Sequence, residues 1–152
     1  MHFSDLNLNK PLLKAIFEKN YETPTKVQIQ TIPLVLAKKN VIASAQTGTG
    51  KTAAFALPIL QLLFHQQDTS KEQKKIRALI VSPTRELAVQ INEEFTDYSK
   101  YTNLSSTVVY GGISIDAQKK VLKKGVDILI ATPGRLLIFV SKNSSILAPL
   151  KY

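Results

Sequence analysis

Four short apolar runs in this chain are continuous instead of alternating: NVIASA (40–45), RALIVS (77–82), SSTVVY (105–110) and VDILIA (126–131). Runs of this kind suit strands covered on both faces, the environment of a parallel sheet. Each is followed by a stretch with helical spacing, namely Lys51–Gln66, Arg85–Tyr98, Ile113–Leu122 and Pro133–Val140. Alternating strand and helix with short links predicts an α/β fold, a parallel sheet flanked by helices with right-handed crossovers. Two further helices, near Lys10–Asn20 and Lys26–Lys38, are predicted ahead of the first run. QQDTSKEQKK (66–75) reads as a solvated basic loop, and the 152 residues contain no internal repeat or long linker.

Parallel strands place their carboxyl ends at one edge of the sheet, where open α/β sheets bind ligands. The residues that follow the four runs are QTGTGKT, PTREL, GG and TPGR. Four separate loops are therefore expected to converge on one face.

Charge narrows the kind of ligand. Twenty Lys and Arg against eleven Asp and Glu give a formal charge of +9. Such an excess favours an anionic partner such as nucleic acid or nucleotide, although it also serves solubility. Cysteine is absent, which excludes disulfide and thiolate chemistry and fits a reducing compartment. The opening MHFSDLNLNK lacks the pattern of a signal peptide, and the apolar run AAFALPILQLLF is too short to span a bilayer. The expected setting is cytoplasmic.

Ala45-Gln46-Thr47-Gly48-Thr49-Gly50-Lys51-Thr52 lies between a predicted strand and a predicted helix, the context of a phosphate-binding loop. Its glycines permit tight turns that aim N–H groups at phosphate oxygens, and the helix N-terminus adds a positive dipole end. Lys51 is expected to reach the β- and γ-phosphates and the Thr52 hydroxyl to ligate Mg²⁺. The first position is Ala45, where this motif usually has Gly.

Arg85 and Arg135 both fall in the first turn of predicted helices, after Pro83-Thr84 and Thr132-Pro133-Gly134. A cation at a helix N-terminus is unfavourable by about 0.3–1 kcal/mol, a conflict that a bound anion would resolve. Gly111-Gly112 offers exposed backbone at the same edge. These three loops read as a second phosphate-binding strip, suited to sequence-independent contact with a nucleic-acid backbone. For either arginine alone, a plain surface role is an equal reading, with Glu86 offsetting Arg85.

Taken together, these motifs resemble those of the first RecA-like domain of DEAD-box RNA helicases, from Phe3 to about Leu137. DYSKYTNLSSTVVYGGISI is most similar to the bacterial RhlE-like branch. NYETPTKVQ (20–28) resembles the family's Q motif, with Asn20 for a usual Gly and Lys26 for a usual Pro. The resemblance implies that Gln28 reads adenine, that Tyr21 and Thr23 lie near the base, and that Phe3 is the family's isolated upstream aromatic. AQTGTGKT corresponds to motif I, PTRELA to motif Ia, Gly111-Gly112 to the GG motif and TPGR to motif Ib. The last three are implied to hold the sugar–phosphate backbone of RNA; the choice of RNA over DNA rests on the resemblance alone.

The implied architecture is a RecA-like P-loop NTPase domain. Residues 1–38 would form a Q-motif region with two helices, and 39–152 a partial ATP-binding domain whose C-terminal strands are missing. The implied cofactors are ATP and Mg²⁺, and the implied partners RNA and a second RecA-like domain. Neither DEAD nor SAT occurs in the sequence, and IFVSKNSSILAPLKY (138–152) departs from the family, with Ile138 where Asp is common. In the family, the strands bearing those two motifs lie between the phosphate-loop strand and the others. Negligible hydrolysis and no unwinding are therefore expected of these residues alone. A non-catalytic nucleotide- and RNA-binding module stays open as an alternative, as does a different phosphate-loop enzyme such as a nucleotide kinase, which the Q motif disfavours.

Overall fold

A computed structural model describes residues 1–65 and 74–142. Most of QQDTSKEQKK and residues 143–152 of the C-terminal segment lie outside the described residues. The chain divides into two compact units, one formed by Met1–Gln67 with Glu94–Asn103 and the other by Asp68–Glu93 with Leu104–Tyr152.

The first unit is helical. A 3₁₀ turn, Phe3–Leu6, precedes α1 (Lys10–Glu18), α2 (Lys26–Leu36) and α3 (Lys51–His65). Asn9 caps α1 by accepting the Leu12 N–H at 3.0 Å, and its own N–H donates to Gln61 Oε1 of α3 at 2.8 Å. The α1 C-terminus closes as a Schellman motif, with Tyr21 N–H on the Ile16 carbonyl and Asn20 N–H on the Phe17 carbonyl. Asn20 sits there at φ 57°, the left-handed region that Asn tolerates better than most residues. The chain thus makes this turn without a glycine. α2 packs on α3, with Ile32, Leu57 and Leu60 fully buried.

NVIASA is not a strand. Residues 40–45 pair with no strand among the described residues, and Ile42 is completely exposed. A strand is held by its neighbours, and apolar character cannot substitute for a partner offering N–H and C=O groups.

The second unit carries the sheet. β1 (Ala78–Val81), β2 (Ser106–Val109) and β3 (Ile128–Ala131) are all parallel, in the order β1-β3-β2. They form where three of the four apolar runs predict them. β3 is central, and its four residues are fully buried, which is why VDILIA shows no alternation. α4 (Arg85–Ser99), α5 (Ile115–Lys124) and α6 (Pro133–Lys142) follow the three strands. Val109, Leu129, Ala131 and Phe139 form a core against which Ile115, Leu122 and Leu136 pack.

A buried carboxylate ties the amino ends of the strands. Asp127 Oδ2 accepts from Ser105 N–H at 2.9 Å and from Lys74 Nζ at 3.0 Å, and its Oδ1 accepts from Arg77 Nη2 at 2.7 Å. Burial pushes its pKa up, but the Ser105 N–H, Arg77 and Lys74 outweigh that and hold it below the usual Asp range.

Candidate functional site

The phosphate loop lies in the first unit and turns at Gly48 and Gly50, both with positive φ. Thr49 Oγ1 donates to the Gln46 carbonyl at 2.7 Å, closing the loop on itself. The Lys51 ammonium donates to the carbonyls of Ala45 and Gln46, which places its charge inside the loop. Thr52, in the first turn of α3, has no hydrogen-bond partner for its hydroxyl among the described residues. Thr47 and Gly48 are exposed.

Gln28 fastens α2 to this loop. Its Oε1 accepts the Thr25 N–H at 2.9 Å, the N-terminal half of a capping box, and its Nε2 donates to the Gly50 carbonyl at 3.1 Å. Thr25 Oγ1 donates to the Thr49 carbonyl at 2.9 Å. The approach is so close that a Cβ on Gly50 would stand 2.3 Å from Gln28 Nε2. Position 50 therefore needs Gly both for its φ and for this contact. Gln28 is buried, Tyr21 and Thr23 are exposed, and Phe3 is buried in the 3₁₀ turn. The Tyr98 hydroxyl pKa is pushed up, first by burial, then by Glu94 and least by the nearby Tyr21.

The other three loops lie in the second unit, at the carboxyl edge of the sheet. Strand register levels them, since Val81 and Val109 both pair with Ala131. Pro83, Thr84, Arg85, Gly111, Thr132, Gly134 and Arg135 line a single cleft of about 470 Å³. Glu86 and Ile138 complete its wall. Pro133 starts α6 beside it, and Gly112 lies against Arg85, whose Nη1 would be 2.5 Å from a Cβ at that position.

The two arginines differ. Arg85 is exposed, and it has no hydrogen-bond or ion-pair partner among the described residues. Glu86, its neighbour in the cleft, makes no ion pair with it. Thr84 caps α4 through the Leu87 N–H at 3.2 Å. Arg135 is 7% exposed, and its guanidinium turns inward. Nη1 and Nη2 both donate to the Ile113 carbonyl at 3.1 Å, and Nη1 also donates to Gln118 Oε1 at 3.0 Å. Gln118 Nε2 in turn donates to the Tyr110 carbonyl at 3.1 Å. The terminal nitrogens of Arg135 are thus held by two neutral acceptors within the protein, while its buried Nε has no partner among the described residues and Arg85 is left open to solvent.

Gln118 was not among the residues singled out from sequence. A signal exists: it lies between Ile115 and Leu122 on the stripe that α5 turns to the core, a polar residue in an apolar line.

The family model for DEAD/DEAH box helicases matches residues 25–152. The chain belongs to this family. The ATP-dependent RNA helicase CshA of Limosilactobacillus reuteri is 48% identical over 144 residues, covering 95% of this chain and 28% of that protein. The DEAD-box ATP-dependent RNA helicase RhpA of Helicobacter pylori is 47% identical over 135 residues, covering 89% and 26%. A crystal structure of a DEAD box protein from Methanococcus jannaschii superposes with a TM-score of 0.86 at 39% identity. It covers all of this chain and 40% of that one. The chain spans about a quarter of the length of these curated relatives. The parallel sheet flanked by helices is that of the DEAD-box RecA-like domain. Among the described residues, no helix of this DEAD-box chain is long and apolar enough to cross a membrane, and no His/Cys/Asp/Glu cluster could hold a metal ion.

Proposed function

We propose that this chain is the ATP- and RNA-binding N-terminal part of an ATP-dependent RNA helicase acting in the cytoplasm. Residues 1–38 read the adenine, and 39–152 hold the phosphates and the RNA. The observation that carries the reading is the cleft: three loops distant in sequence line one concavity, and its exposed arginine has no partner among the described residues.

RNA enters this cleft through its sugar–phosphate backbone. Arg85 supplies the charge, Thr84 and Thr132 hydroxyl groups, Gly111 and Gly134 unobstructed main chain, and Gly112 the room in which the Arg85 guanidinium lies. Arg135 serves from behind, since its guanidinium already holds the Ile113 carbonyl. Backbone contacts position RNA without reading its sequence.

The nucleotide reading fits the first unit. Gln28 uses one lone pair of Oε1 and one N–H of Nε2, which leaves one acceptor and one donor for the adenine edge. Lys51 would exchange two carbonyls for phosphate oxygens, a stronger charge-assisted pairing. The free Thr52 hydroxyl suits Mg²⁺. Magnesium-bound ATP, when present, supplies the phosphoryl group whose transfer a complete helicase couples to RNA binding. A second RecA-like domain completes the cleft in that protein, and these 152 residues by themselves hydrolyse ATP negligibly.

Titration of the chain with ATP, GTP and a labelled oligouridine tests the proposal. Preference for ATP and salt-sensitive RNA binding support it. Equal affinity for ATP and GTP contradicts the role of Gln28. RNA-stimulated phosphate release that disappears in Lys51→Ala contradicts the absence of hydrolysis.

A further inference from the structure

Gly111 and Gly112 are flanked by two carbonyls, and both are held by one buried pair of side chains. The Tyr110 carbonyl accepts from Gln118 Nε2 at 3.1 Å, and the Ile113 carbonyl accepts from both terminal nitrogens of Arg135 at 3.1 Å. Gln118 and Arg135 join each other through the 3.0 Å bond from Nη1 to Oε1. Both residues are at least nine-tenths buried. The loop needs this restraint: Gly112 adopts φ 91°, and a two-glycine segment has the largest conformational freedom a chain offers. Beside it stands Arg85, whose Nη1 lies where a Cβ on Gly112 would meet it at 2.5 Å.

We propose that Gln118 is a positioning residue that, with Arg135, fixes the Gly111-Gly112 backbone in the form that receives RNA. It touches no RNA itself. It works by bracketing the loop, so that the main-chain groups beside Arg85 are set before the ligand arrives and less ordering is left to binding. The inference rests on the reading of the cleft as an RNA-backbone site.

Two variants separate the functions of the amide. Gln118→Glu keeps an acceptor for Arg135 but has no N–H for the Tyr110 carbonyl. Gln118→Leu removes both bonds. In Gln118→Glu we expect the amide resonances of Gly111 and Gly112 to shift in the free protein. We also expect affinity for a labelled oligouridine to fall about tenfold, while ATP affinity and the unfolding midpoint stay near wild type. Gln118→Leu should lose at least as much RNA affinity and also stability. Should that variant fail to fold, Gln118→Glu carries the test alone.

Wild-type RNA affinity in Gln118→Glu overturns the inference. Arg85→Gln, measured alongside, distinguishes its failure from failure of the cleft reading. If Arg85→Gln weakens RNA binding and Gln118→Glu does not, only the role of Gln118 falls. If neither weakens it, the cleft reading falls as well.

Discussion

The two ends of the three-stranded sheet treat charge in opposite ways. At the amino end, the Asp127 carboxylate is buried and receives Ser105, Arg77 and Lys74. At the carboxyl end, Arg85 is exposed, lines a cleft and has no partner among the described residues. A satisfied buried charge contributes to stability and offers nothing to a ligand. An unsatisfied exposed one sits at the positive end of a helix, slightly unfavourable, until an anion arrives. The difference teaches where to look for function in this fold: at the charge whose partners are missing.

The largest expected effect lies at the amino end. Asp127→Asn should destabilise the protein by about 2–4 kcal/mol in chemical denaturation, because the buried carboxylate that accepts from Ser105, Arg77 and Lys74 loses its charge. Oligouridine affinity of the folded fraction should not change. The same carboxylate sets an acid limit. Its folded pKa is depressed, so its contribution is fully present above the ordinary Asp pKa of about 3.9 and is lost as pH falls through the folded value. Wild type should therefore lose more stability than Asp127→Asn on acidification below about pH 4, as read by denaturation at several pH values.

At the carboxyl end the pattern should invert. Arg85→Gln should lower oligouridine affinity about tenfold and reduce the salt slope of binding by about one. It should leave stability unchanged or raise it by about 0.3–1 kcal/mol, since a cation leaves a helix N-terminus. A smaller effect tests the cleft wall. Ile138 lines it together with Arg85. Ile138→Asp would offer Arg85 an internal counter-ion and should weaken oligouridine binding about two- to fivefold, the scale of an exposed ion pair. Unchanged affinity would mean that Arg85 does not act as the cleft's free charge.

Much of this was legible in the sequence. Three apolar runs became the strands, because continuous burial leaves a continuous pattern. The caps were less legible: Thr84 starts α4 and Asn20 closes α1 in the left-handed conformation, each a local role that the structure reveals. NVIASA did not become a strand, because its pattern states what it could cover and not what it can pair with. The helix-end conflict is written in the sequence for both arginines alike and does not separate them. Arg85 is open, whereas Arg135 is met by Ile113 and Gln118, residues 22 and 17 positions away in the chain. Contacts of that range leave no local trace. The signal at Gln118 is its own, a polar residue on the buried stripe of an otherwise charged helix, whereas Asp127 is a carboxylate within the apolar run VDILIA.

The most direct test of the contrast between the two ends is an amide-resolved titration of the chain with oligouridine. The account predicts that Gly111, Gly112, Gly134 and Arg85 shift on binding while Ser105 and Asp127 stay in place. Perturbation confined to residues outside the cleft, with those four unmoved, would contradict it.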